Sequence, residues 1–273
     1  MKEQVIKAIQ DFENFKKYST QKLTDSHCHV LDEMYTQTQQ ELIDEWFNNN
    51  GGDMFLIGVD ANSSEQMVQN TKINSSVHAI IGIHPEYAKK ISQTDIDVIE
   101  KLAPSACGIG EIGLDFYYGK DDEQEQIALF EKQLLIAEKY NLPVCIHTRD
   151  AMQKTFDMLK AHPKIKGVIH CYGGSKEMAK EFVKMGYKIG VGGIITFKNN
   201  RQLVESVLEV GIENIVLETD SPYLTPEPFR GQVNKPMFVY FVARKVADLL
   251  NLTVEEVLAQ TTKNALEVYN INK

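Results

Sequence analysis

Little in this sequence points to a secreted, disulfide-linked or membrane protein. It has only four cysteines, Cys28, Cys107, Cys145 and Cys171, and none of them forms a Cys-x-x-Cys pair. We therefore expect buried free thiols and a reducing, cytoplasmic compartment. No apolar run approaches the roughly 18 residues of a transmembrane helix, and residues 1–18 lack the apolar stretch of a secretory signal.

Basic residues are scarce relative to acidic ones. The 273 residues include 29 Lys and Arg against 38 Asp and Glu, a formal net charge of −9. An acidic surface repels polyanions over long range. This balance argues against an extended non-specific binding face for duplex nucleic acid.

Short apolar, β-rich runs alternate with helical patterns along the chain, without repeats or flexible linkers. This alternation predicts a parallel sheet in an α/β fold. Eight strands with seven or eight intervening helices predict a (β/α)₈ TIM barrel, with a doubly wound open sheet as the alternative. The predicted strands are Lys22–Val30, Asp53–Val59, His78–His84, Cys107–Leu114, Pro143–Thr148, Gly167–Cys171, Lys188–Gly192 and Asn214–Asp220.

Two segments fall outside the strand–helix repeat. Lys2–Tyr18 has the pattern of an amphipathic helix with Val5, Ile9 and Phe12 on one side, and we expect it to cover the bottom of the barrel. The predicted organisation is thus an N-terminal helical extension, 1–21, followed by the barrel domain, 22–273. At the other end, 233–272 predicts two further helices, the second beginning with a capping box at Thr253.

The first strand ends in a His-x-His pair. Side chains two apart in a strand share a face, so His27 and His29 point together and Cys28 points away. Two imidazoles on one rigid strand can bind one cation. The C-terminal strand ends of a (β/α)₈ barrel converge on one face, where active sites lie. We therefore interpret the pair as metal ligands.

A carboxylate lies inside the apolar fourth strand. Glu111 is flanked by glycines on both sides, and its burial is costly unless it is paired or bound to metal. A bridge between two cations would offset that cost, whereas a buried salt bridge is the alternative.

Other strand ends carry one titratable group each. The fifth and sixth end near His147 and His170, and Asp220 ends the eighth, where it could bind a cation and accept a proton from water. Glu218 lies one layer deeper, and we interpret it as a structural hydrogen-bond acceptor. For His84, after the third strand, we favour a contact to substrate phosphate over a metal ligand.

The predicted loops at this face carry cations and aromatic rings. Cationic side chains can bind phosphate oxygens, and rings can stack on bases. The cations are Arg149, Lys198, Arg230 and Lys235, and the rings are Tyr117, Tyr118, Tyr172 and Phe229.

Six blocks of this sequence resemble the TatD-like metal-dependent deoxyribonucleases of the amidohydrolase superfamily. The resemblance extends from about Leu23 to Leu266, and the final block is highly specific. About 20 residues precede the first strand, more than is usual in the family. The blocks are DSHCHV at Asp25, GIHP at Gly82, GEIGLDFY at Gly110, PVCIHTRD at Pro143, IHCYGG at Ile169 and ETDSPYLTPEPFRG at Glu218.

The resemblance implies a two-metal hydrolase of DNA that trims from 3′ ends. It assigns one cation to His27, His29 and Asp220 and the other to His147 and His170, with Glu111 between them. It also implies substrate contacts from His84, Arg149 and Arg230. The two divalent cations could be zinc, manganese or magnesium. Given the acidic chain, we expect single-stranded or frayed 3′ ends as substrate, with no membrane and no obligate protein partner.

Two other interpretations remain open at this stage. An amidohydrolase or deacylase could use the same cations on a small C–N or ester substrate, although many such relatives have a modified lysine on the fourth strand, where this chain has Glu111. A barrel without activity could serve as a binding protein, but no ligand position is lost.

Overall fold

The structure is a computed structural model that describes residues Lys2–Ile271. The described residues do not include Met1, Asn272 and Lys273. These are terminal residues of the predicted segments 1–21, 233–272 and 22–273, respectively. The strands are β1 (Leu23–Cys28), β2 (Gly51–Ile57), β3 (Val77–Ile81), β4 (Gly108–Asp115), β5 (Val144–Arg149), β6 (Gly167–Ile169), β7 (Lys188–Val191) and β8 (Ile215–Leu217). The α-helices are α1 (Lys2–Tyr18), α2 (Gln39–Asn48), α3 (Ala61–Asn70), α4 (Gln93–Leu102), α5 (Glu123–Tyr140), α6 (Met152–Ala161), α7 (Lys176–Lys184), α8 (Arg201–Val210), α9 (Val239–Leu250) and α10 (Val254–Val268).

The eight strands form one parallel sheet in the order β1 to β8. Its two edges meet, because the Cys28 backbone bridges Ser221. The His29 N–H donates to the Ser221 carbonyl at 2.9 Å, and the Asp220 N–H donates to the His27 carbonyl at 3.0 Å. The predicted (β/α)₈ barrel is confirmed, and the open doubly wound sheet was the wrong alternative.

The strands are apolar because both of their faces are covered. Every residue of β3, β6 and β8 is buried, as expected for a parallel sheet wrapped in helices. All eight predicted strands are present, and most boundaries differ by one to three residues. The polar residues that follow β8 are outside the regular ladder, since the chain turns there to close the barrel.

Local signals in the sequence fix several helix ends. Helix α5 stops at Asn141, whose φ of 52° is left-handed, a conformation that asparagine tolerates at the end of a helix. Thr253 and Glu256 form the predicted capping box of α10, and Thr253 accepts a bond from the Glu256 N–H. The predicted pair of C-terminal helices is thus confirmed.

The N-terminal helix does not cover the bottom of the barrel. Helix α1 packs along α9, with Phe12 5.0 Å from Tyr240 between ring centroids and Arg244 bonded to Asp11 at 2.6 Å. Its first turns border a cavity of about 590 Å³ shared with loops that follow β7 and β8. Ile9 was wrongly placed on the buried side, because it is 46% exposed, whereas Ala8, Phe12 and Phe15 are buried.

The four cysteines are free thiols, as expected, but only Cys28 and Cys145 are buried, whereas Cys107 and Cys171 are partly buried. Within the described part of the chain, no helix has both the length and the apolar character needed to cross a membrane.

Candidate metal centre

The two histidines of the first strand reach the mouth of the barrel together. His27 and His29 bring their Nε2 atoms within 3.2 Å of each other. Cys28 points away and contacts the Phe55 carbonyl through its Sγ. The Nδ1 atom of His27 lies 3.2 Å from the Cys145 Sγ, which leaves Nε2 directed into the mouth. The alternation of a β-strand therefore produces the predicted pair.

Glu111 lies between two groups of histidines, and its two oxygens face different groups. Oε2 is 3.5 Å from His27 Nε2 and 3.8 Å from His29 Nε2. Oε1 is 2.8 Å from His147 Nδ1 and 3.2 Å from His170 Nε2. One buried carboxylate thus connects ligand-type side chains from three strands.

Asp220 and His84 complete the cluster from opposite sides. The Asp220 Oδ1 lies 3.6 Å from His27 Nε2 and 3.5 Å from His29 Nε2. Asp220 has a left-handed φ of 53°, which aspartate adopts more readily than most residues. His84 Nε2 lies 3.8 Å from Glu111 Oε1.

A buried carboxylate supports His170 from below. Glu218 is fully buried, and its Oε1 accepts the Cys171 N–H at 2.6 Å and lies 3.3 Å from His170 Nδ1. Gly190 makes room for it, since a Cβ there would lie 2.6 Å from Glu218 Oε2. Outer carboxylates of this kind orient a ligand histidine. The arrangement agrees with the interpretation of Glu218 as a hydrogen-bond acceptor.

Asp25 joins the strands that carry the two ends of the cluster. Its buried carboxylate accepts bonds from the Thr219 N–H at 3.0 Å and the His27 N–H at 3.2 Å. It also accepts the Thr219 hydroxyl proton at 2.5 Å. These bonds fix His27 relative to Asp220 across the closure of the barrel.

The electrostatics of the cluster favour positive charge around Glu111. Burial alone would raise the pKa of Glu111, but the charge of His170 and hydrogen bonds from His147 and His170 hold that pKa well below its usual range. Burial and the neighbouring His147 lower the pKa of His84 to about 3. An ionised carboxylate surrounded by converging imidazole nitrogens provides negative charge and ligand atoms for a cation.

The donor atoms fit divalent cations. Within the described residues, several overlapping sets of three place one ligand atom each within 4.8 Å of one another. Nitrogen and carboxylate oxygen are the ligands of zinc and manganese sites. The sets are His27, His29 and Glu111; Glu111, His147 and His170; His84, Asp115 and His147; His27, His170 and Glu218; and His170, Cys171 and Asp220.

The cluster opens into a cavity of about 880 Å³, whose walls include His147, His170, Asp220 and Arg149. The Arg149 guanidinium lies over the Tyr117 ring, 3.5 Å from its centroid.

Several residues predicted at this mouth lie elsewhere. Arg230 does not border the central cavity, and its guanidinium stacks on Phe197 at 4.0 Å. Lys198 borders the cavity beside α1 instead, and Lys235 is bonded to Glu45 at 2.6 Å. Tyr172 and Phe229 are buried in the core. They were wrongly predicted as surface rings, because loop sequence alone does not reveal which aromatic side chains fold inward.

Sequence reasoning missed Asp115, which ends β4. Its Oδ2 lies 3.1 Å from His147 Nε2, and its Oδ1 accepts the Tyr117 N–H at 2.9 Å. The signal was available, since residues 111 and 115 are an even number apart in one strand and therefore share a face.

A (β/α)₈ barrel with histidines and carboxylates at its mouth places this chain in the class of metal-dependent hydrolases. Residues 24–270 match the family described as TatD related DNase. The uncharacterized metal-dependent hydrolase YabD of Bacillus subtilis is 34% identical over 92% of this chain and 100% of its own length. YcfH of Escherichia coli K12, with the same description, is 30% identical over 92% and 96%. The solved structure of YJJV, a TatD homolog from Escherichia coli K12, matches with a TM-score of 0.84 at 27% identity, over 92% of this chain and 98% of that one.

The chain therefore belongs to the TatD related DNase family and is a metal-dependent hydrolase. The resemblance predicted from the six motif blocks is confirmed. The family match begins at residue 24, so α1 lies outside it.

Proposed function

We propose that this chain hydrolyses phosphodiester bonds of DNA from the 3′ end, using two divalent cations. The observation that supports this best is that the two carboxylate oxygens of Glu111 face different groups of histidines. Oε2 faces His27 and His29, and Oε1 faces His147 and His170. A carboxylate shared in this way suits two adjacent cation sites.

In this proposal His27, His29 and Asp220 would hold one cation, His147 and His170 would hold the other, and Glu111 would contribute to both sites. When bound, such a pair stabilises charge on a phosphoryl oxygen and lowers the pKa of water. Zinc or manganese suits the nitrogen-rich set better than magnesium, which prefers oxygen ligands.

The side chains around the cluster have distinct roles in the reaction. Asp220 takes a proton from the attacking water, whose oxygen forms the new bond to phosphorus. The bond from phosphorus to the 3′ oxygen of the preceding nucleotide breaks, and that oxygen leaves as a hydroxyl after it takes up the proton that Asp220 accepted. Arg149 and His84 contact non-bridging phosphate oxygens, as their positions beside His147 allow. Arg230, which stacks on Phe197, would contact a phosphate farther along the strand.

The charge of the chain favours strand ends over intact duplex. With a formal net charge of −9, attraction for DNA is local to the mouth and its cations. The substrate we propose is therefore a single-stranded or frayed 3′ end. The four free thiols fit a reducing, cytoplasmic compartment.

The test is digestion of a single-stranded DNA labelled at its 5′ end or its 3′ end, after reconstitution with zinc, manganese or magnesium. A 3′ exonuclease shortens the 5′-labelled strand stepwise and releases label from the 3′-labelled strand at once as a mononucleotide. A circular single strand of the same composition should resist. The same sequence as RNA measures the preference for deoxyribose.

Glu111→Gln provides the control, because it keeps the shape of the side chain and removes the charge needed to bridge two cations. Loss of cleavage together with reduced metal content is expected. Equal digestion of circular and linear strands would contradict the end-directed reaction. Hydrolysis of hydantoins or small esters without any cleavage of DNA or RNA would favour the amidohydrolase alternative.

A further inference from the structure

Exposed apolar side chains concentrate around the mouth of the barrel. Of the twelve large hydrophobic residues that are exposed in the described chain, six lie on loops that follow β1, β4 and β8. Tyr118 is the extreme case, with 90% of its surface exposed, and the adjacent Tyr117 is 53% exposed. Exposed apolar residues that form a patch mark interaction sites, whereas singly scattered ones do not. The six are Leu31, Met34, Tyr117, Tyr118, Tyr223 and Leu224.

The two tyrosines of the β4–α5 loop are held in a defined arrangement. Their ring centroids lie 4.8 Å apart, edge to face at 83°. The Arg149 guanidinium covers Tyr117 at 3.5 Å and lies 5.8 Å from the Tyr118 centroid. The Tyr117 N–H donates to Asp115, whose own backbone is held by Gln126 at 2.8 Å. Tyr117 is thus fixed from both sides, and the Tyr118 ring is left open to solvent.

This pair is linked to the candidate metal centre through Asp115 and Arg149. Asp115, which anchors Tyr117, also contacts His147 at 3.1 Å. Arg149, which stacks on Tyr117, borders the same cavity as His147 and Asp220. A phosphate bound at the mouth and contacted by Arg149 would therefore carry its flanking base toward Tyr118.

We propose that Tyr118, supported by Tyr117 and Arg149, is a stacking platform for an unpaired nucleobase next to the scissile phosphate. This inference rests on the proposed phosphodiesterase function and adds the structural basis for its choice of substrate. A paired base inside a duplex has both faces covered by its neighbours, whereas a base at a frayed end or in a single strand has a free face. Aromatic side chains bind such bases with little sequence preference. The platform would thus select single-stranded DNA without reading its sequence.

The test uses a single-stranded DNA of about 12 nucleotides in which one abasic residue is moved stepwise away from the 3′ end. Losing one stacked base should raise KM for the wild type by roughly 5- to 100-fold at one position of the abasic residue. Tyr118→Ala should raise KM for the normal strand to that of the abasic strand. Its KM and kcat for the abasic strand should equal those of the wild type. Tyr118→Phe keeps the aromatic face and should restore the base dependence.

Tyr18→Ala is the matched control, since Tyr18 is 72% exposed but lies at the end of α1. It should leave both substrates unaffected. If the wild type cleaves normal and abasic strands with equal KM at every position, or if Tyr118→Ala keeps the difference, the stacking platform is wrong and the phosphodiesterase proposal stands. If the metal-loaded wild type cleaves no DNA at all, the proposed function itself fails.

Discussion

Two glutamines on one face of α5 hold loops that carry residues of the candidate site. Gln133 is fully buried, and its amide accepts the Ile83 N–H at 2.8 Å and donates to the Ile83 carbonyl at 3.0 Å. Gln126 makes the same pair of bonds with the backbone of Asp115, both at 2.8 Å. Ile83 precedes His84, and Asp115 contacts His147, so each amide fixes the backbone next to the metal centre.

Replacing either glutamine by leucine keeps an apolar stem and removes both bonds. A buried donor or acceptor left unpaired costs about 1–3 kcal/mol, so two orphaned groups cost about 2–6 kcal/mol before leucine regains some apolar burial. For Gln133→Leu we expect about 2–4 kcal/mol, because both partners are fully buried. For Gln126→Leu we expect about 1–2 kcal/mol, because Asp115 is only partly buried and water can replace the lost bonds.

The assay is guanidinium unfolding followed by fluorescence of Trp46, the sole tryptophan, which is buried. Both substitutions should lower the midpoint at unchanged m-value. Seven residues along a helix separate the two sites by about 10 Å, so their effects should add within about 0.5 kcal/mol in the double variant.

Gln124→Leu is the matched control, because Gln124 lies on the same helix and is exposed. A change within about 0.5 kcal/mol is expected there. If Gln133→Leu costs no more than Gln124→Leu, the two bonds to Ile83 do not stabilise the fold, and the reasoning from buried polar groups is refuted.

The remaining predictions concern the cluster itself. Compared with the wild type at equal metal content, Asp220→Asn should lower kcat by about 100- to 10,000-fold with little change in KM for a phosphodiester; full activity would refute its role as proton acceptor. Gly190→Ala should displace Glu218 and weaken metal binding in calorimetry by about 10- to 100-fold. Gly192→Ala should not, since its Cβ would come no closer than 3.6 Å to any neighbour. Chelation should lower the unfolding midpoint of the wild type, because a ligand of the folded state at 100 times its Kd stabilises by about 2.7 kcal/mol; a midpoint that chelation leaves unchanged would show that no resident cation stabilises the fold.

Much of the fold followed from sequence because its signals are local. Apolar runs of strand length marked β1 to β8, and capping residues such as Asn141 and Thr253 marked helix ends. The six proposed metal ligands lie together in the structure, although their roles stay predictions. They were identifiable because polar residues at the ends of buried strands are costly without a partner.

The errors came from features that depend on contacts distant in sequence. The position of α1 is set by its packing on Tyr240 and Phe241, more than 200 residues away in the chain, and no local pattern encodes that choice. Phe229 looked like a surface ring but packs on Phe238 at 4.9 Å. Asp115 has a local signal, its even spacing from Glu111, but the contact that gives it a place in the cluster is with His147 on the next strand.

By itself, the amino-acid sequence determined the class of fold, the alternation of β-strands and α-helices, and the set of side chains able to bind a cation. The periodicity of apolar residues and the residues that end helices or form turns are local features. Each can be recognised without knowledge of the rest of the chain. Tertiary structure alone decided that the two carboxylate oxygens of Glu111 face different groups of histidines and that the Tyr118 ring is exposed to solvent. Those facts depend on closure of the barrel, which brings the ends of eight separate strands to one mouth.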